Sequence, residues 1–241
     1  MISIIPLEGL PEVRAGDDLA GLLARPLPLQ DGDVLVVAQK VVSKAEGRVV
    51  ELDGIEPSER AREVAGDEVD PRQVEAILRE SVRIVRVRGS FVIAETRHGL
   101  ICGSAGVDAS NAPAAGQLVL LPLAPDASAR LLRERLGELT GARVAVIVSD
   151  SFGRPWRQGT TDVAIGVAGL APILDLNGRR ERAGYELHAT QIAVADEIAG
   201  AAELVMGKVD GVPAVIVRGL ELSGDGSGRE LVMPPERDLF R

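Results

Sequence analysis

The chain has 241 residues, 46% of them hydrophobic, enough for one large domain or two small interlocked ones. A formal charge of −9 and an aromatic content of 2% argue against general nucleic-acid binding and against a base-stacking surface, while leaving room for a nucleotide in a local basic pocket. The single Cys102 excludes an intrachain disulfide, two distant histidines give no zinc pattern, and neither a signal peptide nor a membrane span is recognisable, so a water-soluble cytoplasmic protein is expected.

Residues 1–9 predict a short strand entering a turn at Leu10, Pro11, Glu12 and Val13, where proline locks one φ and leaves neighbouring amides free for a ligand. Asp17 or Asp18 caps a short helix over residues 19–24. Asp31-Gly32-Asp33 then turns the chain into a strong strand, residues 34–38. That strand runs into Gln39-Lys40-Val41-Val42-Ser43-Lys44. Lys40 and Lys44, four apart, share one face of a helical turn, and a solvated lysine pair is the plainer reading of the segment alone. The phosphate-loop string GxxxxGK[ST] is absent. Helices are expected over residues 58–65 and 70–80, the second with Asp70 as cap and Pro71 at its first position. Strands follow over residues 81–94, with Arg83, Arg86 and Arg88 on a solvated face.

The stretch GLICGSAGVDASN, residues 99–111, carries three glycines suited to close backbone approach and leads to Asp108, Ser110 and Asn111. Turn chemistry and a functional set explain those three residues equally well. Asp126 is expected to cap a helix reaching about Leu139, closed by Gly141.

The densest stretch comes next, residues 144–170, VAVIVSDSFGRPWRQGTTDVAIGVAGL. It begins as a buried strand, residues 144–148, and stops at Ser149, Asp150 and Ser151. A loop punctuated by Gly153, Pro155 and Gly159 then carries Arg154, Trp156 and Arg157, followed by Thr160, Thr161 and Asp162. Sheet ends are where open α/β sheets hold their ligands, and hard oxygens beside guanidinium groups suit a metal–phosphate site. Taken alone, such a loop reads as a solvated turn; its density of charged and hydroxyl groups points to a site. Asn177-Gly178 signals a hairpin with Arg179, Arg180 and Arg182 exposed, and a helix is expected over residues 190–206. A last buried strand, residues 214–217, precedes a Gly-rich tail able to wrap a neighbouring subunit. His98 and His188 read as structural or exposed.

The strings QKVVSKAEGRVV, AGVDASN and SDSFGRPWRQGTTDVAIGVAGL, in this order and spacing, closely resemble the coenzyme F420:L-glutamate ligases, also called F420-0 γ-glutamyl ligases. ADEIAGAAELVMGK and RELVMPPERDLF fit the same family, so the resemblance spans nearly the whole chain. It implies a GTP-dependent amide ligase that adds L-glutamate to the lactyl carboxylate of the deazaflavin precursor, coenzyme F420-0, and then further γ-linked glutamates. GDP and phosphate are released, and a divalent cation, Mg²⁺ or Mn²⁺, is required. Carried over, Leu10, Pro11, Glu12, Val13, Gln39, Lys44 and Asn111 contact the nucleotide, and Asp108, Asp150 and Ser151 hold the metal. Asp108, Asp150 and Lys44 are the residues expected to carry catalysis. Gln39 stands where serine is frequent, Ser151 replaces threonine, and Lys208 stands where archaeal members offer a glutamine to the metal.

The expected fold is α+β, with mixed sheets and outer helices in two intimately joined subdomains, to which the resemblance adds an intertwined homodimer. One ligase-type domain over residues 1–241 is expected, without the flavin-binding reductase-like domain of mycobacterial relatives. Two other readings stay open: another nucleotide- and metal-dependent carboxylate–amine ligase, and a non-catalytic nucleotide-sensing dimer.

Overall fold

A computed structural model describes residues 1–239; Phe240 and Arg241, which close the tail string, lie outside the described residues. In chain order the strands are β1 (Ser3–Pro6), β2 (Val34–Ala38), β3 (Val49–Glu51), β4 (Ser81–Arg88), β5 (Phe91–Thr96), β6 (Ile101–Gly103), β7 (Gln117–Val119), β8 (Ala145–Arg154), β9 (Arg157–Ala168), β10 (Leu174–Asp175), β11 (Gln191–Ile192) and β12 (Ala214–Arg218). The helices are α1 (Leu19–Leu23), α2 (Gln39–Ala45), α3 (Glu59–Ala65), α4 (Pro71–Glu80), α5 (Pro125–Thr140) and α6 (Val194–Met206).

Five strands form one mixed sheet in the order β1-β12-β2-β8-β9. β2 and β8 pair in parallel, Val34 opposite Ala145 through Ala38 opposite Ser149, and the other neighbours are antiparallel. Alternate residues of a strand point to opposite faces, and here both faces are covered. Leu35, Val37, Val146, Val148 and Ile216 pack under α1, α2 and α5, while Val34, Val36, Ala145, Ile147 and Val215 pack under α6. The central strands are therefore unbroken apolar runs. A third apolar cluster lies among residues 55–120, where Val74 and Ile77 of α4 meet Val92 and Ala94 of β5 and Leu118 of β7. Asp70 caps α4 by accepting from the Arg72 amide at 2.8 Å, with Pro71 in the first turn. The architecture is the expected α+β arrangement of mixed sheets and outer helices. No helix among the described residues is long and apolar enough to cross a membrane.

Four local expectations change. β8 does not give way to a loop after Val148: it runs on to Arg154, turns at Pro155-Trp156 and returns as β9. The hairpin leaves the core, so its side chains carry no apolar alternation and the order resides in backbone pairing. Asp126 does not cap α5. Ala124 holds that position with Pro125 in the first turn, and Asp126 Oδ1 accepts from the amides of Val167 at 2.8 Å and Gly228 at 2.6 Å. α6 begins at Val194, because Gln191 and Ile192 pair with Asp175 and Leu174. Asn177-Gly178 is not a hairpin tip; the pairing continues through Arg180 and Glu186, and the chain turns between Glu181 and Tyr185. The Gly-rich tail folds back on its own chain, with the Gly226 amide on the Leu170 carbonyl at 2.9 Å.

Candidate active site

β1, β2 and β8 run in the same direction, since β1 and β2 are both antiparallel to β12 and β2 is parallel to β8. Their carboxyl ends share one edge of the sheet. There the turn at residues 10–13 follows β1, α2 follows β2 with no linker, and Ser149, Asp150 and Ser151 continue β8 past Ala38. The end of α6 and residues 211–213 before β12 close the space into a cleft of about 340 Å³. It is the sheet-end crevice where open α/β sheets bind ligands. Leu10, Pro11, Glu12, Val13, Gln39, Lys44, Asn111, Asp150 and Ser151 all line it. Asp108 sits one contact behind the wall, joined to it by Lys40, whose Nζ lies 2.5 Å from Asp108 Oδ2.

Lys44, with 8% of its side chain exposed, donates from Nζ to Glu12 Oε1 at 2.5 Å, so an ammonium is held inside the cleft by an exposed carboxylate. Gln39 is buried; its Oε1 accepts from Ser43 Oγ at 2.9 Å, while its Nε2 has no partner. A buried donor left unmet costs free energy. Asn111 adopts the left-handed conformation at φ 55°, which asparagine tolerates better than most residues.

The Asp108 backbone is fixed by reciprocal hydrogen bonds with Val119, and its Oδ1 accepts from the Ser110 amide at 2.7 Å. Burial acts to raise its pKa, but the hydrogen bonds from Lys40 and Ser110 outweigh it and hold the carboxyl below the usual range. Asp150 is the opposite case. Burial pushes it up to about 7; the Ser151 amide and the Lys40 charge pull it down, while the Asp162 and Asp108 charges push it further up. Asp162, 3% exposed, accepts from Ser149 Oγ at 2.8 Å and Ser151 Oγ at 2.7 Å, and Ser151 Oγ accepts from Lys208 Nζ at 3.1 Å.

No three His, Cys, Asp or Glu side chains among the described residues gather into a metal cage. Mg²⁺ seldom uses one; it binds through one or two carboxylates with waters and substrate phosphates completing the shell. Asp108, Asp150 and the Ser151 hydroxyl are hard oxygens of that kind. The donor set therefore fits a divalent cation.

Besides Lys44, which the family resemblance had marked, the structure adds cleft residues that sequence reasoning passed over: Lys40, Asp162 and Glu203. Lys40 and Lys44 form no solvated pair: both line the cleft and both are ion-paired. Asp162 and Glu203 also face it. For Asp162 a usable signal existed, a carboxylate following two hydroxyls spaced two apart on the preceding strand. Glu203 gives none within α6. His98 and His188 take no part: His98 Nε2 lies 3.2 Å from the Leu123 carbonyl, and His188 meets the Tyr185 ring edge-on.

A mixed sheet with one polar cleft at the carboxyl ends of parallel neighbours defines an α+β protein built around a small-molecule site. Comparison with known proteins gives this class its family: a family model described as F420-0:Gamma-glutamyl ligase matches residues 9–219, and the chain belongs to that family. It is 49% identical over 250 residues to the coenzyme F420:L-glutamate ligase of Methanothermobacter thermautotrophicus, with 100% of this chain and 99% of that protein covered. The protein of the same description from Methanopyrus kandleri is 50% identical over 247 residues, with 100% and 97% covered. That from Archaeoglobus fulgidus is 46% identical over 242 residues, with 100% and 96% covered. The resemblance read from the motifs is borne out.

Proposed function

We infer that this protein joins L-glutamate through an amide bond to the lactyl carboxylate of coenzyme F420-0, driven by GTP, and extends the product with further γ-linked glutamates. The observation that carries the reading is the convergence, at one cleft, of positions from four separate segments that the family resemblance had singled out. A carboxylate does not accept an amine directly, so the precursor must first become an acyl phosphate, which the amine then attacks with loss of phosphate. Phosphoryl transfer asks the protein for positioning and charge neutralisation more than for covalent help. A bound Mg²⁺ or Mn²⁺ supplies neutralisation at the transferring phosphoryl group. Asp108, Asp150 and Ser151 hold that ion in this reading.

Lys44 is the phosphate partner on the opposite wall, released from Glu12 when a more highly charged acceptor arrives. The free Nε2 of Gln39 and the side chain of Asn111 orient the nucleotide. The turn at residues 10–13 offers it backbone amides. The active form is an intertwined homodimer of two-subdomain chains working in the cytoplasm.

The deciding experiment incubates the protein with coenzyme F420-0, L-glutamate, Mn²⁺ and either GTP or ATP, and reads the products by mass spectrometry. A gain of one or more glutamyl units with GTP is expected. GDP formation only with a different acid, or GTP binding with no turnover, overturns the reading. Light scattering of the same sample reports the oligomeric state, with a mass near one chain excluding the dimer.

A further inference from the structure

Lys40 has no role in the reading above, yet it is the most fully engaged cation at the cleft. Its side chain leaves α2 and crosses to the loop that carries Asp108 and Asn111, a segment rooted in the third apolar cluster. There Nζ lies 2.5 Å from Asp108 Oδ2, 2.7 Å from Ser110 Oγ and 3.0 Å from the Ser110 carbonyl. An ammonium has three N–H groups, and here three acceptors meet it. Its side chain is 13% exposed. On the acceptor side Asp108 is equally committed, because its Oδ1 takes the Ser110 amide while its Oδ2 takes Lys40.

We propose that Lys40 is the resident cation of the site: it neutralises Asp108 and holds the 108–111 loop while the divalent ion is away, and it competes with that ion for Asp108. The proposal rests on the metal reading of Asp108 and Asp150 given above. A divalent ion entering between these carboxylates meets an oxygen that already carries an ammonium, and two like charges on one carboxylate oxygen repel each other. Ion entry therefore displaces Lys40 from Asp108. The ammonium also offsets the charges of Asp162 and Asp108 that are felt at Asp150. Lys44 pairs with Glu12 and not with Asp108.

The test uses the full chain without nucleotide, stripped of metal, as wild type, Lys40→Met and Lys40→Arg. Each is melted in chelator and titrated with Mn²⁺ alone, the free ion being followed by electron paramagnetic resonance. Lys40→Met should melt lower in chelator yet bind Mn²⁺ on the order of tenfold more tightly. Its melting temperature should then rise more on Mn²⁺ addition than that of the wild type. Lys40→Arg should stay near wild type in both measurements. Unchanged or weaker Mn²⁺ binding by Lys40→Met, with a wild-type circular dichroism spectrum, overturns the proposal and leaves Lys40 a loop anchor. Should Lys40→Met fail to fold, Lys40→Gln keeps polar contacts without the charge and faces the same comparison. If Mn²⁺ binds the wild type but no more tightly to the charge-free variants, this proposal alone fails. If it binds no form, this proposal falls, while the metal reading of the cleft is decided by the melting shift of GTP with Mn²⁺ against GTP with chelator.

Discussion

Asp150 follows the buried part of β8 with a carboxyl group that its surroundings drive up to about 7, through burial first, with the Asp162 charge adding to it against the Ser151 amide and the Lys40 charge. An unfolded aspartate titrates near 4. Between those two values the folded chain binds more protons than the unfolded one, so this group's contribution to stability is full below about pH 4 and is lost as pH rises through about 7. In chelator, the melting temperature of the wild type should fall relative to that of Asp150→Asn between about pH 5 and about pH 8, with the two curves converging at the acid end. A constant gap across that range would contradict the burial argument. At about pH 8 Asp150→Asn should melt no lower than the wild type and yet have lost nearly all turnover, because what goes is cation binding and not packing. Asp108→Asn acts on the same ion, so the double variant should be little slower than either single one. A stable, fully active Asp150→Asn enzyme would sink this account of the site. The placing of Asp150 and Ser151 at the cleft, and of Asp108 just behind it, was legible because each closes an apolar or Gly-rich run with an oxygen-bearing side chain. Lys40 was not, since its partners Asp108 and Ser110 come from a distant segment, and nothing local distinguishes a buried ammonium from a solvated one.

Among the elements, β9 is an edge strand of the main sheet, and two amides in its C-terminal half end on carboxylates. Ala164 donates to Asp196 Oδ1 at 2.9 Å, Val167 to Asp126 Oδ1 at 2.8 Å, and just past the strand Gly169 donates to Asp225 Oδ1 at 2.9 Å. An edge capped by carboxylates cannot template another strand. Asp126→Ala leaves two amides, of Val167 and Gly228, without an acceptor, at a cost of roughly 1–3 kcal/mol each. Urea unfolding should show that loss, and Asp126→Asn, which keeps the accepting oxygen, should lose much less. Equal stability of the alanine variant would mean that water replaces the carboxylate. Gly166 is a second sensitive point: a Cβ there would fall onto the Pro125 carbonyl, where α5 begins against β9. Gly166→Ala should cost about 1–3 kcal/mol by overpacking, read in the same titration. The acidic residue before the α5 run looked like a cap because caps and long-range acceptors use the same side chain. The hairpin looked like a loop because glycine, proline and polar residues are common to loops and to paired strands that have left the core.

At the scale of the whole molecule, the cleft sits where the main sheet meets the third apolar cluster. Lys40 crosses that seam, as does Arg48, which reaches Glu80 at 2.8 Å and the Leu121 carbonyl at 2.9 Å. A nucleotide touching both residues 10–13 and Asn111 should bind the two sides together. A ligand at 100 times its dissociation constant adds about 2.7 kcal/mol to stability. GTP with Mn²⁺ should therefore raise the melting temperature well above the shift given by GTP with chelator, and should slow amide exchange in residues 107–111. Equal shifts under both conditions would detach the acidic residues from the nucleotide. The α+β class was legible from alternating helical and apolar segments; β9 was read as a loop, while β2 and β12 were placed within a residue, and β1 and the start of β8 within a few. Their neighbours were not, because β2, β8 and β12 are apolar on both faces and any of them could lie beside any other.

The outermost pairing of the main sheet joins its first strand to its last, Ser3 opposite Arg218. During synthesis, at about 5–20 residues per second, β1 emerges roughly 10–40 s before its only sheet neighbour exists. β2 also waits, first for β8 and then for β12. The nascent chain thus carries unmet apolar strands through most of its production, and the sheet can close only when the final tenth of the described chain arrives. Contacts of such long range slow folding. Loss of the last strand, by a premature stop or by proteolysis before Ala214, should accordingly leave β1 and β2 exposed together and send the chain to aggregates.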